Sequence, residues 1–182
     1  MTLALDLIKK HYKNKQSSCG VPYINHIEQG LDIIKTYSID TNKELASDAF
    51  CIHPIVQSKV DFNKALYNVS LNFLDHSIIM LSTKYGCIAN LYLSNNTLNS
   101  VTKKHILKEL DHSSILKLML IADKIQNKIN FEINYSDKHN AAELEIYFNN
   151  WFQLLGVTNE EYTTYKSRFT NPLWSSTVID YK

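Results

Sequence analysis

Apolar positions along this chain recur at three- and four-residue intervals between short polar breaks, and that rhythm predicts a string of helices. Leu3, Leu5, Leu7 and Ile8 open a first helix running towards His11 and Tyr12. A polar segment from Lys13 to Gly20 leads into Val21-Pro22-Tyr23. Ile24, Ile27, Leu31, Ile34 and Tyr37 then repeat as the inward stripe of a second helix. Ser38 to Asn42 break the pattern, and Lys43 to Val56 resume it as a third. Pro54 falls inside that third run, where the lost N–H should end or kink the helix.

From Phe62 to Leu93 the apolar content is high, and two helices are expected with a break near Asp75. Ile78 to Ser82 also passes for a strand. Ser94 to Ser100 is a polar loop, and Val101 to Ile129 is strongly helical, split near His112-Ser113-Ser114, where a serine can cap the second piece. Asp137 to Leu155 predicts another helix that stops at Gly156, and Thr158 to Arg168 a further one before an irregular tail to Lys182. Phe148, Trp151 and Phe152 share the spacing of a face packed on the core. Four Gly and three Pro leave long stretches free to be helical, and no repeat or low-complexity linker marks a boundary. The expectation is an all-α protein with residues 1–182 in a single domain.

Composition narrows the function classes. At 182 residues with 45% apolar content the chain can bury a substantial core. A net charge of +1 offers no broad basic face for nucleic acid or for a membrane surface. No apolar run approaches the ~20 residues of a membrane span, and Asp6, Lys9 and Lys10 interrupt the start, so a cytoplasmic protein is expected. Cys19, Cys51 and Cys87 have no C-x-x-C spacing, which favours reduced thiols. The basic residues are lysines apart from Arg168; with abundant Asn, Ile and Tyr, this is the composition of an AT-rich genome such as many phages carry.

Three segments carry candidate chemistry: Gly20-Val21-Pro22-Tyr23-Ile24-Asn25-His26, His53-Pro54-Ile55-Val56-Gln57-Ser58, and Leu120-Ile121-Ala122-Asp123-Lys124-Ile125-Gln126-Asn127. Taken alone, each has an ordinary reading. His26 and His53 could be buried, hydrogen-bonded histidines; Asp123 and Asn127, one turn apart, a polar stripe on a helix; Lys13 and Lys15 solvated charges. His76, His105, His112 and His139 belong to no pattern. Together, in order and spacing from about Leu3 to Leu155, the segments resemble the RelA/SpoT-type branch of the HD phosphohydrolases, which includes the metazoan SpoT homologue. That branch reads Gly-x-Pro-Tyr-x-x-His, then Leu-His-Asp-x-x-Glu-Asp, then Leu-Ala-Asp-Lys-x-x-Asn.

The resemblance implies a single, degenerate HD-domain helical bundle. It implies that His26, His53 and Asp123 match three of four ligands for a Mn²⁺-like ion, the fourth having become Pro54. It places Tyr23, Asn25, Gln57 and Asn127 with them in a nucleotide pocket. The family's Arg-Lys pair aligns with Gln16 and Ser17, so Lys13 and Lys15 are the nearby candidates for an anionic group. Asp48 and Asp61 are the acids that could replace the lost ligand, although Asp48 lies in poor register with His53.

Gln57 and Ser58 stand where the family has its acidic pair, and neither can serve as a base. General acid–base help is typically worth about 10²–10⁴-fold, so hydrolysis is expected to suffer more than binding. Two imidazoles and one carboxylate still hold metals in other settings, so the expected cofactor is none or a weakly held Mn²⁺. The favoured expectation is a non-catalytic protein that sequesters or senses a phosphorylated nucleotide signal: a guanosine polyphosphate, a cyclic dinucleotide or an ADP-ribose derivative. A phage sponge for such a signal is one setting. The alternatives are a phosphohydrolase with a remodelled metal site, and a scaffold whose pocket has collapsed. Homo-oligomers are common among such proteins.

Overall fold

The structure is a computed structural model that describes residues 2–16, 20–67, 70–90, 100–137 and 141–171. In these residues every regular element is helical, and the only extended pairing is an isolated bridge between Gln16 and Pro22. The order is α1 (Leu3–Tyr12), α2 (Tyr23–Thr36), α3 (Lys43–Gln57), α4 (Lys59–Tyr67), a 3₁₀ turn (Ser70–Phe73), α5 (His76–Asn90), α6 (Ser100–Asp111), α7 (Ser114–Asn134), α8 (Ala141–Leu155) and α9 (Asn159–Thr170).

Local chemistry sets most boundaries. The Thr2, Asn42 and Ser113 side chains accept from the backbone N–H of Leu5, Leu45 and Leu116, each filling one of the orphan donors at a helix start. Thr158 and Glu161 form a reciprocal capping box at the start of α9. Gly156 follows α8 at φ 75°, a left-handed conformation that glycine adopts without a Cβ penalty.

Several expectations shift. Ile78 to Ser82 lies within α5 and is not a strand; Ser82 is fully buried and its hydroxyl donates to the Ala49 carbonyl of α3 at 2.7 Å. The run expected to stop at Ile129 continues to Asn134, because Phe131 is also buried. Asp137 lies in a turn and α8 begins at Ala141; residues 138–140 are outside the described set, as are most of the 94–100 loop, Ser17, Cys19 and the tail.

Two helices organise the packing. α7 is buried on nearly every face and touches α2, α3, α5, α6, α8 and α9. α3 lies beside it and touches α1, α2, α4 and α5 as well. Their side chains meet in one core running from Ala4 to Phe169, with Phe50, Ile52, Ile55 and Trp151 fully buried. Ion pairs tie the outer helices down. Lys128 of α7 reaches Glu132 at 2.8 Å and Glu145 of α8 at 2.6 Å, while Lys166 of α9 reaches Glu132 at 2.6 Å. Arg168 of α9 meets Asp32 of α2 at 2.7 Å. None of the described helices is long and apolar enough to cross a membrane.

Pro54 neither ends nor breaks α3 where it stands, since the helix runs on to Gln57 and the Ser58 N–H caps it through the Pro54 carbonyl at 3.3 Å. A proline in a helix interior costs about 3 kcal/mol. Phe50, Ile52 and Ile55, each worth about 1.5–3 kcal/mol when fully buried, outweigh that. Gly30 lets α2 approach α3 closely: a Cβ there would lie 2.2 Å from Phe50 Cε1. Gly30→Ala therefore forces the Phe50 ring out of place. The expected loss is about 1–3 kcal/mol in chemical denaturation; a variant as stable as the parent would show that this contact does not limit the packing.

Candidate functional site

The helix crossings bring three distant residues to one point. His26 comes from the first turn of α2, His53 from the end of α3 and Asp123 from the middle of α7. Their donor atoms lie within 4.8 Å of one another. His26 Nε2 is 3.4 Å from His53 Nε2 and 3.6 Å from Asp123 Oδ1.

The hydrogen bonds behind the histidines fix which ring nitrogens face inward. His53 Nδ1 is 2.5 Å from the Phe50 carbonyl, and a carbonyl only accepts, so Nδ1 carries the proton. In an uninterrupted helix that carbonyl would receive the N–H of residue 54, which proline lacks. Pro54 thus frees the acceptor that orients His53. His26 Nδ1 is likewise 2.5 Å from Gln126 Oε1, which also only accepts. Gln126 Nε2 donates onward to Gln29 Oε1 at 3.1 Å, holding the amide in that orientation.

Both imidazoles therefore turn Nε2 towards the same point, beside a carboxylate oxygen. Two lone pairs at 3.4 Å repel each other unless a proton or a cation lies between them. Burial, and then the facing His26, lower the His53 pKa to about 3, so its Nε2 stays unprotonated near neutrality.

Asp123 is held from its other side. Asn127 Nδ2 donates to Oδ1 at 2.8 Å and Lys124 Nζ to Oδ2 at 2.8 Å, and the Tyr85 hydroxyl donates to the carboxylate as well. Burial by itself would raise the Asp123 pKa, but Lys124 and the two histidines outweigh it and hold the group near 2. Lys124 is itself buried, with its ammonium 5.0 Å from the Trp151 ring and 5.5 Å from Tyr147. Asp123 and Lys124 cancel in charge, so the site presents imidazole nitrogens more than net negative charge. Such a donor set suits borderline ions over Mg²⁺ or Ca²⁺.

The triad lines a cleft of about 280 Å³. Tyr12, Tyr23, Pro22 and Val21 form one wall, with the Tyr12 and Tyr23 rings 5.6 Å apart. Pro54 and Gln57 form another, and Gln57 packs where Gly86 of α5 leaves room. Gln126, Asn127 and Asn130 complete it along α7. Asp123 is the only carboxylate among these lining residues, and no Lys or Arg is among them.

Of the residues expected from the sequence, Tyr23, His26, His53, Gln57, Asp123 and Asn127 therefore meet in one cleft. Asn25 sits on α2 beside His26 but outside its lining. Lys13 lies exposed just beyond α1. Lys15 is bound elsewhere: Asp61 Oδ1 accepts from its ammonium at 3.0 Å and lies 3.1 Å from His11 Nε2. Burial would raise the Asp61 pKa, but Lys15 and His11 hold it down to about 2. Asp61 is thus committed to that cluster, and Asp48 lies beside Cys51; neither joins the triad. Burial raises the Cys51 thiol far above its usual pKa, which leaves it unreactive.

Gln126, Gln29, Tyr85 and the Phe50 carbonyl are site components that the motifs did not announce. Only the crossings of α2, α3, α5 and α7 place them there. No family model, curated protein or solved structure matches this chain.

In long-range ¹H–¹⁵N spectra, His53 is expected to carry its proton on Nδ1. Pro54→Ala supplies a competing N–H to Phe50 and should move His53 towards the other tautomer. A parent protein with His53 protonated on Nε2 would overturn this account of Pro54.

Proposed function

We propose that the chain is a degenerate HD-type protein that holds a divalent cation on His26, His53 and Asp123 and uses it to bind the phosphate of a nucleotide signal without hydrolysing it. The observation that carries this reading is the convergence of two imidazole Nε2 atoms and a carboxylate oxygen at the floor of a cleft that, among the described residues, no Lys or Arg lines. A phosphate entering the cleft needs positive charge, and a cation on the triad is the charge this donor set can hold. When bound, that ion would supply a Lewis-acidic anchor for phosphate oxygens.

The chain's own residues explain why binding is favoured over turnover. A water-activating base would have to come from the cleft. Its single carboxylate is committed to Lys124, Asn127 and Tyr85. Gln57, which stands at the position of a family acid, offers an amide with no basic site. His53 has its Nδ1 proton engaged with Phe50 and its Nε2 directed at the triad. With a cation held on the triad, both Nε2 atoms are engaged as ligands, and none of the described lining side chains is left to accept a proton from a nucleophile. Lys13 and Lys15 take no part in this reading, since neither lines the cleft.

The donor set predicts a metal order. By isothermal titration Zn²⁺ and Ni²⁺ should bind more tightly than Mn²⁺, with Mg²⁺ weakest. Gln126→Leu removes the acceptor behind His26 and should weaken binding by about 10–100-fold. Preference for Mg²⁺ would mean that the imidazoles are not ligands.

Function is tested with excess protein, Mn²⁺ and a panel of guanosine tetraphosphate, cyclic dinucleotides and ADP-ribose. Free nucleotide should fall for at least one member and return intact after heat denaturation of the protein. Return as a new product would instead make the protein a phosphohydrolase, and no fall for any member would refute the nucleotide reading.

A further inference from the structure

A separate hollow, of about 820 Å³, opens between α1, α4 and the 3₁₀ turn, and none of its described lining residues lines the cleft. Leu3 and Leu7 on one face of α1, with Ala65 of α4 and Phe73 of the turn, make its apolar wall. Phe73 is 73% exposed and Leu3 52%, so two large apolar side chains stand open at its rim. Its basic wall is Lys10 and His11 from the last turn of α1, Lys15 just beyond, and Lys64 of α4. Asp6 is the single carboxylate among the described lining residues.

The three lysines differ in their partners. Lys15 is engaged with Asp61 at 3.0 Å. Lys10 and Lys64 are exposed, and neither has an ion-pair partner among the described residues. A lysine in the last turn of a helix complements the helix dipole, which by itself accounts for one such residue at each helix end. It does not account for both of them, together with His11, lining one hollow beside an apolar wall.

We propose that this hollow is an effector site for an aliphatic carboxylate, with its head at Lys10 and Lys64 and its chain along Leu3, Leu7 and Phe73. Two unpaired ammonium groups call for an anion. A small polar anion would leave the apolar wall unused, and a neutral apolar molecule would leave both ammonium groups unanswered. Leu3 and Lys10 are seven residues apart, about 10 Å along α1, which is the length of a medium aliphatic chain. A mostly apolar hollow of this size with a few convergent polar groups is the usual form of a small-molecule site.

The hollow also has a path to the cleft. Asp61 accepts from Lys15 at 3.0 Å and from the Tyr12 hydroxyl at 3.3 Å, and the Lys15 carbonyl accepts from the Tyr23 N–H at 3.1 Å. Tyr12 and Tyr23 belong to the cleft wall. A carboxylate beside Lys15 competes with Asp61 for its ammonium, and that competition is felt at the wall.

The test is a ¹H–¹⁵N titration with decanoate below its micelle concentration, read at the backbone amides of Leu7, Lys10, Lys64 and Tyr23. Saturable shifts are expected at the first three, with a smaller one at Tyr23. Acetate, which lacks the chain, and decyltrimethylammonium, which reverses the charge of the head, should each bind roughly tenfold or more weakly. Lys10→Glu combined with Lys64→Glu should weaken decanoate by about tenfold, and Phe73→Ser by a few-fold. All three positions are exposed, and the same spectra report that the variants are folded. Equal binding of the three probes, or a double variant that binds decanoate as the parent does, would overturn the site. Absence of decanoate shifts together with binding to phosphatidylglycerol vesicles would make the hollow a membrane contact and overturn the ligand proposed. A Tyr23 amide that stays in place while the hollow saturates would overturn the coupling to the cleft.

Discussion

A proline that withholds one N–H inside α3 leaves the Phe50 carbonyl to be filled, and His53 fills it with its own ring. The arrangement of the site depends on that hydrogen bond. It selects the tautomer, aims Nε2 at His26 and Asp123, and holds the imidazole against the Phe50 and Tyr85 rings at centroid distances of 4.7 and 4.9 Å. Phe50 occupies space that a side chain at position 30 would claim, so the close approach of α2 and α3 sets the same geometry from below. Helix packing and site chemistry are one constraint here, met at a single aromatic residue.

The histidines are supported in parallel ways by different means. His53 leans on a backbone carbonyl, which sequence changes elsewhere leave in place. His26 leans on Gln126 and through it on Gln29, a side-chain relay across α2 and α7. Such outer contacts decide how basic and how well aimed a ligand is. The buried Lys124 works against them by neutralising Asp123, which tilts the site from hard ions towards those that prefer nitrogen. The resulting centre is held by hydrogen bonds on every side yet carries little net charge.

The helical architecture was legible in the sequence because its signals are local. The apolar spacing of α2, the serine cap of α7, the glycine after α8 and the capping box of α9 each act within a few residues. Ile78 to Ser82 was ambiguous for the same reason: a short apolar run has no period of its own, and packing of Ser82 on α3 resolved it as helix. The motif residues His26, His53, Asp123, Tyr23, Gln57 and Asn127 were named from their pattern, and they do share one cleft. Lys15 was placed with them by proximity in sequence alone, and the α1–α4 contact diverts it to Asp61.

By itself, the sequence determined that the chain is all-helical and which residue types could hold a cation. Tertiary structure alone decided which ring nitrogens face inward and that Gln126 and the Phe50 carbonyl orient them. The physical reason is range. Helix formation is governed by residues three or four apart, whereas the site is made by residues far apart in the chain, such as His26 and Gln126, 100 positions from each other. Their contact exists only once the helices have crossed.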